Sequence, residues 1–174
     1  KALEFLIQKL SEAGKLDNTV IALVGDHYPY ALSVDEVNEA ASYQKDGVIE
    51  INRSNFILYN SAMDPTKISK VGSQIDVIPT LYNIFGINYD SRLIIGKDIL
   101  STEPGLAIFN NRSWVSDYGT YFANKRQFVP KAGKTLENQD EYVKAMNNRV
   151  SNAYSISKMI LDTDYYTYVL ESEW

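Results

Sequence analysis

Cysteine is absent from this chain of 174 residues, and its absence excludes disulfides, thiolate zinc sites and cysteine nucleophiles together. Histidine occurs once, at position 27. No apolar run approaches the roughly 20 residues that a membrane-spanning helix needs. Basic residues are outnumbered, with 17 Lys and Arg against 22 Asp and Glu and a net charge of −5. No basic stripe is therefore present to neutralise phosphates, and Arg53 and the Lys125-Arg126 pair are too sparse to replace one, which argues against a nucleic-acid partner. What is plentiful is apolar and aromatic: 45% of residues are hydrophobic and 13 are tyrosine. That composition suits one ordinary globular unit or two small ones. Most of the tyrosines follow Tyr82, where strands and amphipathic packing account for them.

The most informative point is the end of the run Thr19-Val20-Ile21-Ala22-Leu23-Val24-Gly25-Asp26-His27-Tyr28. Val20 to Val24 is continuously apolar and rich in β-branched residues, the pattern of a strand covered on both faces. Ligands of open α/β sheets sit beyond the carboxyl ends of such strands. Adjacent side chains of a regular strand point to opposite faces, so Asp26 and His27 can share one ion only where the chain bends. Gly25 is expected to permit that bend. A carboxylate oxygen and an imidazole nitrogen together suit zinc or manganese, or magnesium with water and phosphate completing the shell. The competing reading is a solvated loop aspartate beside an exposed histidine.

Around this point the chain reads as alternating elements. Leu3, Leu6, Ile7 and Leu10 recur at helical spacing, predicting a helix over Ala2 to Ala13 that ends at Gly14. This helix opens with no start signal, as expected of a piece of something longer. The step from helix to the strand Thr19 to Val24 is of the kind that builds a parallel sheet. Asp35 to Tyr43 is expected to form a short helix capped by Ser33, with a turn at Asp46-Gly47. Asn55 to Asn60 is a second apolar run, ended by Asp64-Pro65. Val77, Ile78, Leu81, Tyr82, Ile84 and Phe85 mark a helix stopped by Gly86. Pro79 is tolerated there if Asp76 is the N-cap, because its missing N–H then falls in the first turn. Capping is accordingly the role expected of Asp76.

After Pro104-Gly105 the texture changes. Leu106 to Asn110, Trp114 to Asp117, Thr120 to Ala123 and Gln127 to Pro130 are short strand-like runs joined by two- or three-residue turns, which predicts an antiparallel meander. A long helix is expected over Asn138 to Leu161, packing the stripe Val143, Met146, Val150, Ala153 and Ile160 on one face of it. The expected division is therefore an α/β part over 1–104 and an α+β subdomain over 105–174.

Three segments in order carry a family likeness. They are Asp17-Asn18-Thr19-Val20-Ile21 leading to Gly25-Asp26-His27-Tyr28, then Gln74-Ile75-Asp76-Val77-Ile78-Pro79-Thr80-Leu81, then Gly96-Lys97-Asp98-Ile99-Leu100. Together they resemble the C-terminal part of the sulfatase branch of the alkaline phosphatase superfamily, and within it the lipoteichoic acid synthases and related phosphoglycerol transferases. The meander and long helix are similar to that group's small C-terminal subdomain. The fold implied is the C-terminal portion of an alkaline-phosphatase-like sheet-and-helix domain followed by that subdomain.

The resemblance implies that Asp26 and His27 are two ligands of a divalent ion, Mn2+ or Mg2+. It implies a covalent phospho-threonine intermediate, with the nucleophile, the remaining acidic ligand and the substrate-holding residues upstream of Lys1. It further implies a glycerophospholipid head group or glycerophosphate polymer as substrate, and a membrane-anchored parent whose catalytic domain is extracellular. On that reading the 174-residue piece alone lacks the nucleophile, is inactive, and exposes faces through which it self-associates, while the missing N-terminal half of its domain is its natural partner. Where the group often continues Gly-Asp-His-Tyr with glycine, Pro29-Tyr30 stands here, altering the rim of the site. The open alternatives are a sulfatase or other phosphoester hydrolase on the same scaffold, and a non-catalytic cell-surface binding domain.

Overall fold

The computed structural model describes residues 1–45, 47 and 49–172. The expected turn at Asp46-Gly47 lies partly outside the described residues, since Asp46 is not among them. The chain forms two compact units, Lys1–Ile68 and Ser69–Trp174.

In the first unit, α1 (Ala2–Glu12) begins and ends close to the expected positions. Gly14 stops it at φ +64°, a conformation that carries no penalty for glycine. The reversed turn lets the Lys15 N–H donate to the Leu10 carbonyl at 2.9 Å, satisfying one of the helix's last free acceptors. α1 is amphipathic in sequence, yet none of its residues is buried, and Leu3, Phe5 and Leu6 stand exposed. The strand β1 (Ile21–Val24) pairs with β2 (Phe56–Tyr59) in antiparallel register, Ile21 opposite Tyr59 and Val24 opposite Phe56. This corrects the expected parallel step: among the described residues the neighbour of β1 is the strand that returns after the long segment 25–55, and a connection of that length imposes no direction. Coverage also differs from expectation. Ile21 is buried, but Leu23 and Val24 are exposed, because β1 has a single paired neighbour among the described residues.

Side chains fix where this hairpin begins and ends. The Asn60 amide donates to the carbonyls of Asp17 and Thr19 at 3.1 and 2.9 Å, and the Ser61 hydroxyl donates to the Asp17 carboxylate at 2.6 Å. They tie the entry of β1 to the exit of β2. Between the strands, α2 (Val34–Ala40) starts on a capping box: the Ser33 hydroxyl accepts from the Glu36 N–H, and the Glu36 carboxylate accepts from the Ser33 N–H.

The second unit holds α3 (Val77–Ile84), the strands β3 (Leu106–Ile108), β4 (Trp114–Ser116), β5 (Gly119–Phe122) and β6 (Gln127–Pro130), then α4 (Gln139–Asp162) and α5 (Tyr165–Glu171). The four strands form an antiparallel meander in sequence order. The long helix is capped as its sequence requires, with the Asn138 side chain accepting from the Glu141 N–H at 3.1 Å. The short helix α5 follows α4 and has no counterpart among the sequence expectations, because its run Tyr165-Tyr166-Thr167-Tyr168 has strand-like composition.

The core of this unit is Trp114, Met146 and Val150, surrounded by Leu106, Ile108, Tyr121, Phe128, Tyr142 and Tyr154. Met146 and Val150 of the expected stripe thus meet one face of the meander, joined there by Tyr142 and Tyr154 in place of Val143, Ala153 and Ile160. Trp114 is fully buried, and its indole N–H donates to the Asn147 side chain at 2.9 Å, so the polar end of the ring is satisfied. Tyr142 donates to Ser116 Oγ at 2.9 Å and Tyr154 to the Phe109 carbonyl at 2.8 Å, anchoring α4 to the meander at two points. Burial pushes the Tyr142 hydroxyl above its ordinary pKa, partly offset by its bond to Ser116.

The segment between Ser69 and Pro104, expected with the α/β part, groups here with the meander. The Asp117 carboxylate supplies one reason. One oxygen accepts from the Val71 N–H and the other from the Gly105 N–H, both at 2.8 Å, clamping two distant stretches of backbone to the β4–β5 turn.

Candidate functional site

β1 delivers Gly25, Asp26 and His27 to its carboxyl end. The two side chains do not splay to opposite faces. His27 Nε2 lies 3.4 Å from Asp26 Oδ2, and both side chains are open to solvent, at 45% and 86% exposure respectively. The Asp26 carboxylate is turned by its second oxygen, which accepts from the His27 N–H at 2.9 Å. Gly25 contributes differently from expectation. Its φ lies outside the left-handed region, so the bend does not use glycine's conformational freedom. What it supplies is room: a Cβ there would stand 2.1 Å from Ser54 Oγ and 3.1 Å from Ser54 Cβ.

The imidazole is held in one orientation by two contacts. Nδ1 lies 2.6 Å from the Tyr28 carbonyl oxygen, which can only accept, so Nδ1 carries the hydrogen. The ring also stacks on Tyr30, with centroids 4.3 Å apart and planes inclined by 10°. Tyr28 packs edge-on against Tyr30 at 4.7 Å, completing a three-ring cluster. Pro29 fixes the backbone between the two tyrosines. Pro29-Tyr30, expected only to alter the rim of the site, instead packs Tyr30 on the imidazole itself. The signal for this packing was an aromatic on each side of a proline, directly after the histidine.

This tautomer has an electrostatic consequence. With Nδ1 protonated, a neutral ring presents a lone pair at Nε2, and that lone pair faces the carboxylate oxygen of Asp26. Two acceptors turned toward each other in this way form a place that a metal cation can occupy. The separation suits one ion. Two donors of a tetrahedral ion stand roughly 3.3–3.6 Å apart, and of an octahedral one about 3 Å apart. The donor set of one hard oxygen and one imidazole nitrogen fits zinc, manganese or magnesium chemistry. Among the described residues no group of three or more His, Asp or Glu side chains gathers here or elsewhere.

Asp76 takes a place related to, but different from, its expected capping role. It precedes α3, yet its side chain makes no cap bond to that helix. It closes the preceding 3₁₀ turn Gln74–Asp76 in a capping box with Ser73, whose N–H it receives at 2.8 Å. Its other oxygen accepts from the Lys97 N–H at 2.8 Å. Thr80 is buried and repeats the link: its hydroxyl donates to the Asp76 carbonyl at 2.6 Å and accepts from the Ile99 N–H at 2.9 Å. Pro79 is buried in the first turn, where its missing N–H costs nothing.

The segments Asp76-x-x-Pro79-Thr80 and Gly96-Lys97-Asp98-Ile99 therefore recognise each other through partly buried hydrogen bonds. Gly96 completes the fit, since a Cβ there would lie 1.8 Å from the Ile75 carbonyl oxygen. That obstacle is backbone and cannot swing aside. Gly96→Ala is expected to destabilise the second unit by roughly 1–3 kcal/mol, as overpacking does, read as a lower denaturation midpoint with unchanged m-value. A midpoint equal to that of the unsubstituted chain would contradict the close approach.

Comparison with known proteins agrees with this layout. The sulfatase family matches residues 1–87, half of the chain, including Asp26, His27 and the Asp76–Thr80 motif. A lipoteichoic acid synthase-like protein, YvgJ of Bacillus subtilis, is 28% identical over 173 residues, covering 94% of this chain and 28% of that protein. Lipoteichoic acid synthase 2 of the same organism is 25% identical, covering 94% of this chain and 26% of its own length. Lipoteichoic acid synthase of Staphylococcus aureus is 24% identical, covering 97% and 26%. The chain spans about a quarter of the length of these curated relatives, and the likeness runs through the meander and α4 as well as the first half. With half its length matched by the family and its motif residues placed at a strand end and a helix start, the chain belongs to the sulfatase family.

Proposed function

We propose that these 174 residues are the C-terminal part of a metal-dependent phosphoglycerol transferase, in which Asp26 and His27 are two ligands of a divalent cation, manganese or magnesium. The supporting observation is the convergence of Asp26 Oδ2 and His27 Nε2 at 3.4 Å, with Nδ1 committed to the Tyr28 carbonyl. The extent of the likeness to lipoteichoic acid synthases favours a transferase over a sulfatase or another phosphoester hydrolase. Substrate and acceptor are accordingly a glycerophospholipid head group and a growing glycerophosphate polymer. The threonine nucleophile and the remaining ligands belong to the longer protein, which on this reading is anchored in a membrane and works on its outer side.

When bound, such a cation lowers the cost of ionising a hydroxyl nucleophile and neutralises charge on phosphoryl oxygens. The chain's own residues prepare its place. Asp26 brings a formal negative charge, and its carboxylate is turned toward the imidazole by the His27 N–H. His27 offers Nε2 because Tyr28 holds the proton at Nδ1. Two protein donors fall short of the three that catalytic sites normally keep. The isolated chain is therefore expected to turn over no phosphodiester and to bind manganese more weakly than the longer protein. Turnover by the chain alone, lost on His27→Ala, would defeat that part of the proposal.

Tyr30 acts through His27 as a positioning residue. Tyr30→Ala frees one face of the imidazole and is expected to lower manganese affinity of the full-length protein about 3–10-fold, the low end of losses of supporting contacts. Tyr30→Phe keeps the ring and should restore it. NMR of the 174-residue chain and the same two variants of it provides a readout independent of activity, because His27 is its only histidine. Its ring protons should move downfield in Tyr30→Ala as the stacked ring is removed, and stay in place in Tyr30→Phe. Equal ring-proton shifts in all three proteins would contradict the stack.

A further inference from the structure

We propose that the second unit carries a binding site for a phosphate-bearing ligand, in the cavity between the Lys70–Asp76 and Ile95–Gly105 segments and the α4 face that holds Arg149. The cavity encloses about 300 Å³, several times the size of one phosphate group. Its charged lining is Lys70, Lys97, Glu103 and Arg149, together with Asp76 and Asp98.

The partners of these groups decide the sign of the site. Asp76 is engaged by the N–H groups of Ser73 and Lys97. Asp98 is engaged by the Asn83 amide and the Leu100 N–H. Lys97 and Glu103 form an ion pair at 2.8 Å and largely cancel. Among the described residues, Lys70 and Arg149 have no carboxylate in ion-pair reach. The Lys70 ammonium donates to the Ser101 carbonyl. Arg149 is half-buried and makes no hydrogen bond, ion pair or ring contact among the described residues. A guanidinium has five donors in a planar fork, and Arg149 lines the cavity with none of them engaged by a protein acceptor among the described residues. A phosphate dianion matches that fork with two oxygens and has a third for Lys70.

Long-range effects point the same way, since Glu103 is held below the usual carboxylate range first by its bond to Lys97 and, more weakly, by Arg149 and Lys70 across the cavity. The remaining wall is apolar. Ile99, Leu106 and Ala153 flank the cations and give the carbon part of a phosphoester something to lie against. The ligand class is thus a phosphomonoester or phosphodiester with a short carbon substituent, either free in solution or as the head group of a lipid. The site rests on the second unit alone and stands whether or not Asp26 and His27 hold a metal.

The test compares the 174-residue chain with its Arg149→Gln, Arg149→Lys and Lys70→Gln variants. Inorganic phosphate and glycerol phosphate are titrated at ionic strength matched with sodium chloride, and amide NMR shifts of residues around the cavity are followed. Vesicles of phosphatidylglycerol in phosphatidylcholine, against phosphatidylcholine alone, are tested by co-sedimentation. Expected is saturable binding, weakened about tenfold or more in Arg149→Gln, less in Arg149→Lys, and weakened also in Lys70→Gln. Saturation by the soluble phosphates identifies a free ligand. Arg149-dependent sedimentation with phosphatidylglycerol vesicles alone identifies a lipid head group. Linear, unsaturable shifts with no vesicle binding would overturn the proposal, as would binding equally strong in Arg149→Gln and Lys70→Gln.

Discussion

Replacing His27 with alanine in the full-length protein is expected to reduce manganese affinity by more than the roughly 10–100-fold that loss of a supporting group costs a metal site, and to abolish transferase turnover with it. The reasoning is geometric. Nε2 is the only imidazole nitrogen the chain can offer, and its lone pair is turned toward Asp26 by the bond from Nδ1 to Tyr28. Asp26→Ala removes the charged partner and should act in the same direction. Both side chains are substantially exposed, so neither substitution should change stability by more than about 0.5 kcal/mol. That separation is the diagnostic, for a loss of metal with an unchanged melting curve cannot be blamed on unfolding. A non-catalytic binding module, with Asp26 and His27 as solvated loop residues, would be indifferent to both substitutions.

The largest stability effect is expected from Trp114→Ala, at about 3–5 kcal/mol. Trp114 is fully buried at the centre of the second unit's core. It stacks on Tyr121 at 5.4 Å, packs against Phe128 at 5.5 Å and meets Tyr142 edge-on at 6.1 Å. Removing it empties the space between β4 and α4 and leaves the Asn147 amide without the indole donor. A loss of that size is comparable to the whole stability of a small domain, so the variant should lose the cooperative transition of the second unit. Trp114→Phe keeps most of the volume and loses the hydrogen bond, and is expected to cost about 1–3 kcal/mol. A shift below 1 kcal/mol for Trp114→Ala, measured by denaturant unfolding, would show that this core does not hold the unit together.

Much of this architecture was legible in the sequence because local rules agreed with tertiary packing. The meander was visible because each strand run is separated from the next by a short polar turn. The pairing observed for β3 to β6 follows that punctuation in order. α4 was visible because Val143, Met146, Val150, Ala153 and Ile160 recur at helical spacing; of these Met146 and Val150 reach the core, where Tyr142 and Tyr154, outside the expected stripe, pack beside them. Helix ends at Gly14 and Gly86 were legible because both positions adopt positive φ.

What sequence could not supply were facts that depend on distant neighbours. β1 reads as a strand covered on both faces, but Leu23 and Val24 are exposed, because coverage is a property of what packs on a strand and not of its own residues. The antiparallel direction of its pairing with β2 was invisible for the same reason. At the candidate site, the residue types were readable and the geometry was not. That Gly25 yields space to Ser54, and that Tyr30 stacks on His27, are contacts without any periodic signature. The helix-start motif at Asp76 was legible as a cap, whereas its grip on Lys97, 21 residues away, was not.

Exposed apolar side chains on α1 and β1 (Leu3, Phe5 and Leu6, with Leu23 and Val24) are the faces through which we propose this piece meets the rest of its domain or, by itself, a second copy. Sedimentation equilibrium of the isolated chain should show a concentration-dependent rise in mass, and a constant monomer mass at high concentration would count against it.

Anomalous scattering at the manganese edge, from crystals of the full-length protein grown with that ion, tests the proposed two-donor cation site most directly. A peak roughly 2.0–2.3 Å from both Asp26 Oδ and His27 Nε2 is the expected result. A fully occupied manganese peak elsewhere in the protein, with neither Asp26 nor His27 within coordinating distance of it, would contradict it.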